Sequence, residues 1–216
     1  MQKKENVSMS VIRRLPRYYR FLSELNKIGK TRTSSKELSV KMGFTASQIR
    51  QDFNCFGGFG QQGYGYNIPQ LCLEIENILG IQNLHKCILI GAGNLGNTII
   101  THMEFEKLGF QLTGVFDNNQ KLVGKTINGH EILYYDDIGG FIKANKPEMA
   151  ILCIPRSAVE SIVNELYALG VKSYWNFSHF DISMVYSDTI VENVHLNDSM
   201  MTLCYKLNEA GYHTVQ

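Results

Sequence analysis

The stretch Cys87-Ile88-Leu89-Ile90-Gly91-Ala92-Gly93-Asn94-Leu95-Gly96 decides the fold of the larger part of the chain. Its four apolar residues predict a short buried strand, and the glycines that follow have the spacing Gly-x-Gly-x-x-Gly before a helical pattern. In such a motif the first glycine makes the turn, the second lets the backbone approach a diphosphate, and the third lets helix and strand pack closely. The N–H groups that start the helix favour an anion. Glycines that serve packing alone are the alternative.

An acidic residue supports the dinucleotide interpretation. Asp117 ends the next predicted strand, 21 residues after Gly96, where a carboxylate accepts hydrogen bonds from an adenosine ribose. The same negative charge would repel a 2′-phosphate, so we expect NAD(H) rather than its phosphorylated form.

Strand and helix patterns alternate through the rest of this region. Strands are predicted at residues 111–116, 149–154 and 173–175, and helices at residues 95–108, 136–144, 157–169 and 196–210. Such alternation predicts an α/β fold with a mostly parallel, Rossmann-type sheet that carries helices on both faces.

The first 67 residues differ from the remainder in charge. They hold 12 Lys and Arg against 4 Asp and Glu, a net charge of +8, whereas residues 68–216 have a net charge of −7. A basic N-terminal part joined to an acidic C-terminal part is expected where only one half of a protein binds a polyanion. A solvated basic surface is the alternative.

Three helical patterns and a glycine-rich hairpin follow one another in this basic region. Helices are predicted at residues 11–29, 36–43 and 46–53, and a tight hairpin at residues 57–66. A further helix predicted at residues 70–79 follows the hairpin as a linker. Thr45 and Gln48 have the spacing of a capping box at the start of the third helix. Three helices and a hairpin are the plan of a winged helix, a variant of the helix-turn-helix.

The composition disfavours several other classes of protein. The five cysteines are scattered and include no Cys-x-x-Cys pair, which favours reduced thiols in the cytoplasm and predicts no metal site. The N-terminal residues lack the apolar stretch of a signal peptide, and no run approaches about 18 apolar residues. We therefore expect neither export nor a membrane span.

A dehydrogenase needs an acid or a base near the nicotinamide, and histidine can serve as either. The candidate acid–base groups are His102, His130, His179 and His195. They form no recognisable catalytic arrangement, and about 130 residues after the linker leave little room for a substrate domain. We predict a regulator and no enzyme, with a small NAD-dependent oxidoreductase that carries a basic appendage as the alternative.

The chain resembles the Rex family of redox-sensing transcriptional repressors over nearly its whole length. The stretches that carry the resemblance are Arg14 to Arg20, Ser34 to Leu38, Gln48 to Phe53, Phe56 to Asn67, Gly91 to Gly96, Phe116-Asp117, Ile154-Pro155, Asn176-Phe177 and Glu192 to Val194. The resemblance implies a winged helix joined to a Rossmann domain, a homodimer formed by a domain-swapped C-terminal helix, and repression that is lost when NADH binds.

The residue patterns and the resemblance together give three expected parts and two sets of contacts. The parts are a winged-helix DNA-binding domain with a linker helix at residues 1–80, a Rossmann NAD(H)-binding domain at residues 81–195 and a C-terminal dimerisation helix at residues 196–216. The dinucleotide contacts are predicted at Gly91, Ala92, Gly93, Asn94, Leu95, Gly96, Asp117, Ile154, Pro155, Asn176 and Phe177. Contacts to double-stranded DNA are predicted at Arg13, Arg14, Ser47, Gln48, Arg50, Gln51, Gln61, Gln62 and Tyr64. The dimerisation role of the last part and the contacts at Ile154, Pro155, Asn176 and Phe177 are implied by the resemblance alone. The two-fold symmetry of a dimer implies a palindromic operator.

The chain departs from the family pattern where the resemblance places the redox switch. That switch pairs an Arg of the first helix, here Arg20, with a Tyr and an Asp, and this chain holds His102 and His195 at those two positions. A histidine offers no carboxylate to arginine, and when it is protonated it repels arginine. We therefore expect a smaller difference between NADH and NAD+ binding than the family implies.

Two further departures widen the set of hypotheses. The segment that reads Asn-Phe-Ala-Pro in the family is Asn176-Phe177-Ser178-His179 here, and Gln61-Gln62 stand where the family usually has Lys or Arg in the wing. Loss of those wing charges weakens attraction to phosphates. One alternative is a divergent paralogue that binds NAD(H) or another adenine nucleotide with weak redox discrimination. Another is an interaction protein whose DNA-binding head has lost its function.

Overall fold

The computed structural model of the protein describes residues 7–57, 60–61 and 64–212. The chain divides into two compact units, Met1–Gln82 and Asn83–Gln216. Each unit has its own hydrophobic core.

The first unit is a winged helix. Its elements are α1 (Met9–Ile12), α2 (Leu15–Lys27), β1 (Arg32–Thr33), α3 (Ser35–Met42), α4 (Ala46–Asn54), β2 (Gly60–Gln61), β3 (Gly65–Asn67) and α5 (Ile68–Leu79). The three short strands form an antiparallel sheet in the order β1-β3-β2. The apolar stripe of α2 and the apolar residues of α3, α4 and α5 make one buried core.

The first predicted helix is divided in the structure. Residues 13–14 form a turn between α1 and α2. Pro16 explains the division, because proline has no N–H to donate and its ring clashes with the carbonyl group four residues earlier. Pro16 is instead tolerated in the first turn of α2.

The caps of α3 and α4 differ from one another. At α3 the capping box is complete, because Ser34 Oγ accepts from the Glu37 N–H and Glu37 Oε2 accepts from the Ser34 N–H. At α4 only half of the predicted box forms. Thr45 Oγ1 accepts from the Gln48 N–H at 3.1 Å, but the Gln48 side chain binds Asp52. The predicted capping box was therefore wrong in its second half.

The second unit is a Rossmann-type α/β domain. Its elements are β4 (His85–Ile90), α6 (Asn94–His102), β5 (Phe110–Asp117), β6 (Thr126–Ile127), β7 (His130–Tyr134), α7 (Ile138–Asn145), β8 (Met149–Leu152), α8 (Arg156–Ala168), β9 (Ser173–Asn176), α9 (Ile182–Val185), β10 (Ile190–Asn193) and α10 (Leu196–Glu209). The sheet order is β10-β9-β8-β4-β5-β7-β6, and every strand pair is parallel except β6 with β7.

Strand β4 divides the core of this unit into two layers. Ile88 and Ile90 pack with α7 and α8 on one face, whereas Cys87 and Leu89 pack with α6 on the other. Alternate residues of a strand point to opposite faces, so the short run 87–90 needs helices on both sides. The loop after β4 lies between β5 and β8, which is the switch point where open α/β sheets bind ligands.

Strands β6, β7 and β10 and helix α9 of this unit were not predicted. Strands β6, β7 and β10 lie toward the two edges of the sheet, and β10 has no buried residue. An edge strand with polar residues and little burial leaves no clear apolar pattern in the sequence. The helix predicted to reach residue 108 ends at His102, where Met103 takes an extended conformation.

Helix α10 has the predicted position but no buried residue. Six of its large apolar side chains are exposed: Leu196, Met200, Met201, Leu203, Tyr205 and Leu207. Across the described ranges of the chain, no helix combines the length and the hydropathy that crossing a membrane requires.

Candidate nucleotide and DNA sites

The glycine loop has the geometry that its three glycines require. Gly91 has a φ of +96°, and a Cβ there would lie 2.4 Å from the carbonyl oxygen of Cys153. A Cβ at Gly96 would lie 2.0 Å from the carbonyl oxygen of Gly91. A Cβ at Gly93 would meet no protein atom within 4 Å. The first and third glycines are thus needed by the protein itself, whereas Gly93 borders open space.

Backbone donors gather at this open space. Gly93 is the N-cap of α6, and no side chain caps the helix. The N–H groups of the first turn, at Asn94, Leu95 and Gly96, have no partner within the helix. Such N–H groups, with the partial positive charge of the helix start, suit the oxygens of a diphosphate.

Asp117 fixes the loop and keeps room for a ligand. Its Oδ2 accepts from the Ala92 N–H at 2.7 Å, and its Oδ1 accepts from the Asn119 N–H at 2.7 Å. An ionised carboxylate has about four lone-pair sites, so each oxygen can accept one more hydrogen bond. Asp117 can therefore hold the glycine loop and accept from a ribose hydroxyl at once.

The remaining predicted ligand contacts lie after β8 and at the end of β9. Ile154 approaches Gly91, and Pro155 is the N-cap of α8. Phe177 is half-buried and packs edge-on against Trp175, with ring centroids 4.6 Å apart. These positions follow neighbouring parallel strands, whose carboxyl ends share one edge of the sheet.

Asn176 has a positioning role that the sequence did not indicate. Its side chain is fully buried, and its Oδ1 accepts from the N–H and the hydroxyl of Ser178. Its Nδ2 donates to the carbonyl oxygen of Phe180 and to Asn193 Oδ1. The predicted ligand contact at Asn176 stays a prediction. What the structure adds is that this amide joins the segments after β9 and β10.

A buried carboxylate lies at the centre of the winged helix. Arg14 donates to Asp52 through Nε at 2.7 Å and through Nη2 at 2.8 Å. The Tyr18 hydroxyl donates to the same carboxylate at 2.7 Å, and Gln48 Nε2 donates at 3.1 Å. Asp52 is 1% exposed. Asp52 of α4 thus holds the start of α2 and two residues predicted to contact DNA, Arg14 and Gln48.

The charge state of Asp52 results from two opposed effects. Burial raises the pKa of its carboxyl group, whereas the hydrogen bonds from Arg14, Tyr18 and Gln48 lower it. The hydrogen bonds prevail, and the pKa is held below its usual value of 3.8. Asp52 is therefore an ionised acid at neutral pH, although it is buried.

The other predicted DNA contacts are spread over α4 and the wing. Ser47, Arg50 and Gln51 are exposed on α4, and Arg50 also donates to Ser35 Oγ at 3.1 Å. Tyr64 is exposed, and its carbonyl oxygen accepts from Arg32. The exposed Arg13 lies in the turn before α2. Gln61 lies in β2 with its side chain outside the described part, and Gln62 lies outside the described residues.

The three predicted switch residues are divided between the two units. Arg20 is exposed on α2 of the first unit. In the second unit His102 is exposed at the end of α6, and His195 is the N-cap of α10. His195 Nδ1 lies 3.2 Å from His179 Nδ1, a contact that sequence reasoning missed.

Sequence reasoning also missed Asp52. The available signal was a single acid in α4, whose other polar residues are uncharged or basic. A lone carboxylate on the helix that is expected to meet DNA phosphates needs a structural reason, and the buried network supplies it.

Two family models match separate parts of the chain. The family model described as "Putative DNA-binding protein N-terminus" matches residues 6–54, and the model described as a CoA binding domain matches residues 82–180. The redox-sensing transcriptional repressor Rex of Clostridium acetobutylicum is 49% identical over 211 residues, which are 98% of this chain and 98% of that protein. Rex of Clostridium botulinum strain Hall is 50% identical over 209 residues, 97% of this chain and 99% of that protein.

Solved structures give the same result. A crystal structure of RSP in complex with beta-NAD+ and operator DNA matches with a TM-score of 0.87 and 50% identity, over 96% of this chain and 95% of that one. RSP in complex with beta-NADH matches with a TM-score of 0.86 and 47% identity, over 96% and 97%. Because a relative 49% identical to it is matched over 98% of both lengths, the chain belongs to the Rex family of redox-sensing transcriptional repressors.

Proposed function

We propose that this protein is a transcriptional repressor that binds operator DNA through its first unit and responds to the NADH/NAD+ ratio through its second. The main support is the geometry of the glycine loop. A Cβ at Gly93 would border only open space, and the first N–H groups of α6, which no side chain caps, lie beside that space. Relatives support it, since RSP binds beta-NAD+ with operator DNA in one crystal structure and beta-NADH in another.

The dinucleotide lies with its diphosphate on the loop at residues 91–96 and its adenosine ribose against Asp117. The nicotinamide end extends toward Ile154, Pro155 and Phe177. A reduced nicotinamide ring is neutral, whereas the oxidised ring is a cation, so apolar surroundings favour NADH. A preference of this kind becomes release from DNA when the two ligands favour different dimer conformations.

Helix α4 is the element that enters the major groove of double-stranded DNA. Its first turns present Ser47, Arg50 and Gln51 to solvent, and Asp52 holds Gln48 and Arg14 at the same place. Residues at the start of a recognition helix contact base edges, and flanking arginines contact phosphates. The wing, which includes Gln61, Gln62 and Tyr64, meets the adjacent minor groove or backbone.

A second copy of the chain is the partner that helix α10 requires. Its exposed apolar residues form a surface that a monomer would leave in water. The domain-swapped homodimer covers this surface, with residues 196–216 as the dimerisation segment, residues 1–80 as the DNA-binding part and residues 81–195 as the ligand-binding part. A two-fold dimer reads a palindromic operator in the cytoplasm.

The relatives are named as transcriptional repressors. We infer that this chain likewise catalyses no reaction of NAD(H). Among residues 7–57, 60–61 and 64–212, no His stands in a catalytic arrangement that we recognise. We infer that the ligand acts as an effector. Incubation with NADH and common carbonyl acceptors is expected to leave the NADH absorbance unchanged. Steady oxidation of NADH would favour the oxidoreductase alternative.

The deciding experiment is a gel-shift assay with a palindromic A/T-rich operator at low ionic strength. NADH is expected to reduce the fraction of bound DNA, whereas NAD+ leaves it bound. Parallel lanes with ATP and ADP test other adenine nucleotides as effectors. Absence of any DNA binding would favour the interaction-protein alternative.

The histidines at the switch positions lead to a second measurement. We expect a smaller difference in affinity between NADH and NAD+ than in the family, because neither His102 nor His195 offers Arg20 a carboxylate. Calorimetric titration of both ligands measures the difference directly. A preference for NADH of about a thousandfold or more, which is about 4 kcal/mol, would contradict this expectation.

A further inference from the structure

Two histidines meet at the carboxyl edge of the sheet in the second unit. The Nδ1 atoms of His179 and His195 are 3.2 Å apart, and the two rings are tilted by 57° with centroids 5.2 Å apart. His179 follows strand β9, and His195 follows strand β10, its parallel neighbour. Both residues are departures from the family pattern, His179 in the segment that begins at Asn176 and His195 at a switch position.

A buried amide holds the two histidine segments in place. Asn176 accepts from Ser178, the residue before His179, and donates to Asn193, two residues before His195. The Val194 N–H donates to the Asn176 carbonyl oxygen at 2.9 Å. The pair therefore rests on a hydrogen-bonded base in which Asn176 and Ser178 are buried, whereas His179 is exposed and His195 is half-buried.

We propose that His179 and His195 bind a divalent transition-metal cation, such as Zn²⁺ or Ni²⁺, through their Nδ1 atoms. Zinc binds histidine nitrogen at about 2.0–2.1 Å in tetrahedral geometry, which places two such nitrogens about 3.3 Å apart. The observed spacing fits this value. Imidazole is also a preferred ligand of nickel and copper.

The surroundings of the pair favour a cation. Residues 173–205 contain four Asp and Glu and no Lys or Arg. Asp181, Glu192 and Asp198 each lie within three residues of one of the two histidines. The negative charge of these carboxylates attracts a divalent cation toward the two imidazoles.

Ligation places the ring protons on the outer nitrogens. A neutral imidazole carries one proton, so each histidine binds through Nδ1 with its proton on Nε2. The alternative is a hydrogen bond in which one Nδ1–H donates to the other Nδ1. Both arrangements bring the rings equally close, and a bound metal distinguishes them.

The proposed site takes two ligands from this chain. Within the residues that the structure describes, no group of three or more His, Cys, Asp and Glu is placed to hold a metal. Water then completes the coordination, which makes the site open and the metal exchangeable. A bound cation ties the loop after β9 to the N-cap of α10 and stabilises the folded chain.

The test uses tag-free full-length protein that has been treated with a chelator and dialysed. Equilibrium dialysis against ZnCl₂, and separately against NiCl₂, is followed by measurement of the metal content. We expect one cation per chain and a rise in the melting temperature with metal. His179→Ala and His195→Ala should each weaken binding by about tenfold or more, and the double variant should bind at background level.

His130→Ala is the matched control, because His130 lies on β7, which β8, β4 and β5 separate from β9 in the sheet. It should bind metal as the unmodified protein does. Equal loss in His130→Ala, unchanged binding in the double variant, or no saturable binding would each overturn the proposal. None of these measurements uses DNA or a dinucleotide, so the result is independent of the proposed function.

Discussion

The two units build their candidate sites from different parts of the polypeptide. In the second unit the donors are backbone N–H groups, and Gly91 and Gly96 fix the shape of the loop by the absence of a side chain. In the first unit the DNA-binding helix is held by side chains that converge on Asp52. A backbone site tolerates most substitutions except at its glycines, whereas a side-chain site depends on one charge.

The largest expected effect tests this dependence. Asp52→Asn removes the negative charge from beside Arg14, which is only 24% exposed, and leaves a poorly solvated cation. Breaking a buried pair costs about 3–5 kcal/mol, and we expect about 3 because Arg14 keeps some contact with water. Hydrogen exchange at the α4 amides measures the loss within the first unit.

The second unit supplies a matched control for this variant. Asp188 also accepts from a cation and a tyrosine, Lys172 at 2.6 Å and Tyr167 at 2.8 Å, but all three groups are on the surface. Asp188→Asn should cost far less, because water screens an exposed pair. An equal loss in the two variants would show that burial is not the decisive difference.

The next effect concerns the glycine that faces backbone. In Gly96→Ala the new Cβ would lie 2.0 Å from the Gly91 carbonyl oxygen, and neither main-chain segment can yield without moving β4 or α6. We expect a loss of about 3 kcal/mol, at the upper end for overpacking. The only tryptophan, Trp175, lies in this unit, so its fluorescence during urea unfolding measures the loss.

A substitution two residues from the turn glycine should separate stability from binding. Gly93 has a φ of −67°, and a Cβ there meets no protein atom, so Gly93→Ala should change stability by less than about 0.5 kcal/mol. The same methyl group would enter the space proposed for the diphosphate. We expect NADH affinity to fall by about tenfold or more, which calorimetry measures.

The opposite pattern would refute the ligand position. If Gly93→Ala binds NADH normally, the diphosphate does not lie against this residue. If it unfolds like Gly96→Ala, the open space at Gly93 has another role. Either outcome would weaken the contrast between a glycine kept for packing and one kept for a ligand.

Backbone features were accessible from the sequence, and side-chain networks were not. The Gly-x-Gly-x-x-Gly spacing and the alternating patterns predicted the Rossmann unit, because both are local. The pairing of Arg14 with Asp52 joins residues 38 apart, and the contact of His179 with His195 joins residues 16 apart. No local pattern encodes such pairs.

The smallest expected effect is a pH dependence of stability that distinguishes the carboxylates of Asp52 and Asp188. The pKa of Asp52 lies below 3.8 in the folded protein, so its pairing contributes fully above that value and is lost as the pH falls through the folded pKa. The stability difference between the unmodified protein and Asp52→Asn should therefore be constant from neutral pH down to about pH 5. It should narrow below about pH 4, as the carboxylate of the unmodified protein takes up a proton.

The pKa of Asp188 is also lowered, first by its hydrogen bond from Lys172 and then by that from Tyr167. The sign of its pH dependence is the same, but the amplitude should be much smaller because this carboxylate stays in water. Urea unfolding of the two Asn variants at a series of pH values measures both curves. If the curve for Asp188 has the larger amplitude, solvent exposure does not set the strength of these pairs. The contrast between a side-chain site built around a buried charge and a backbone site would then lose its physical basis.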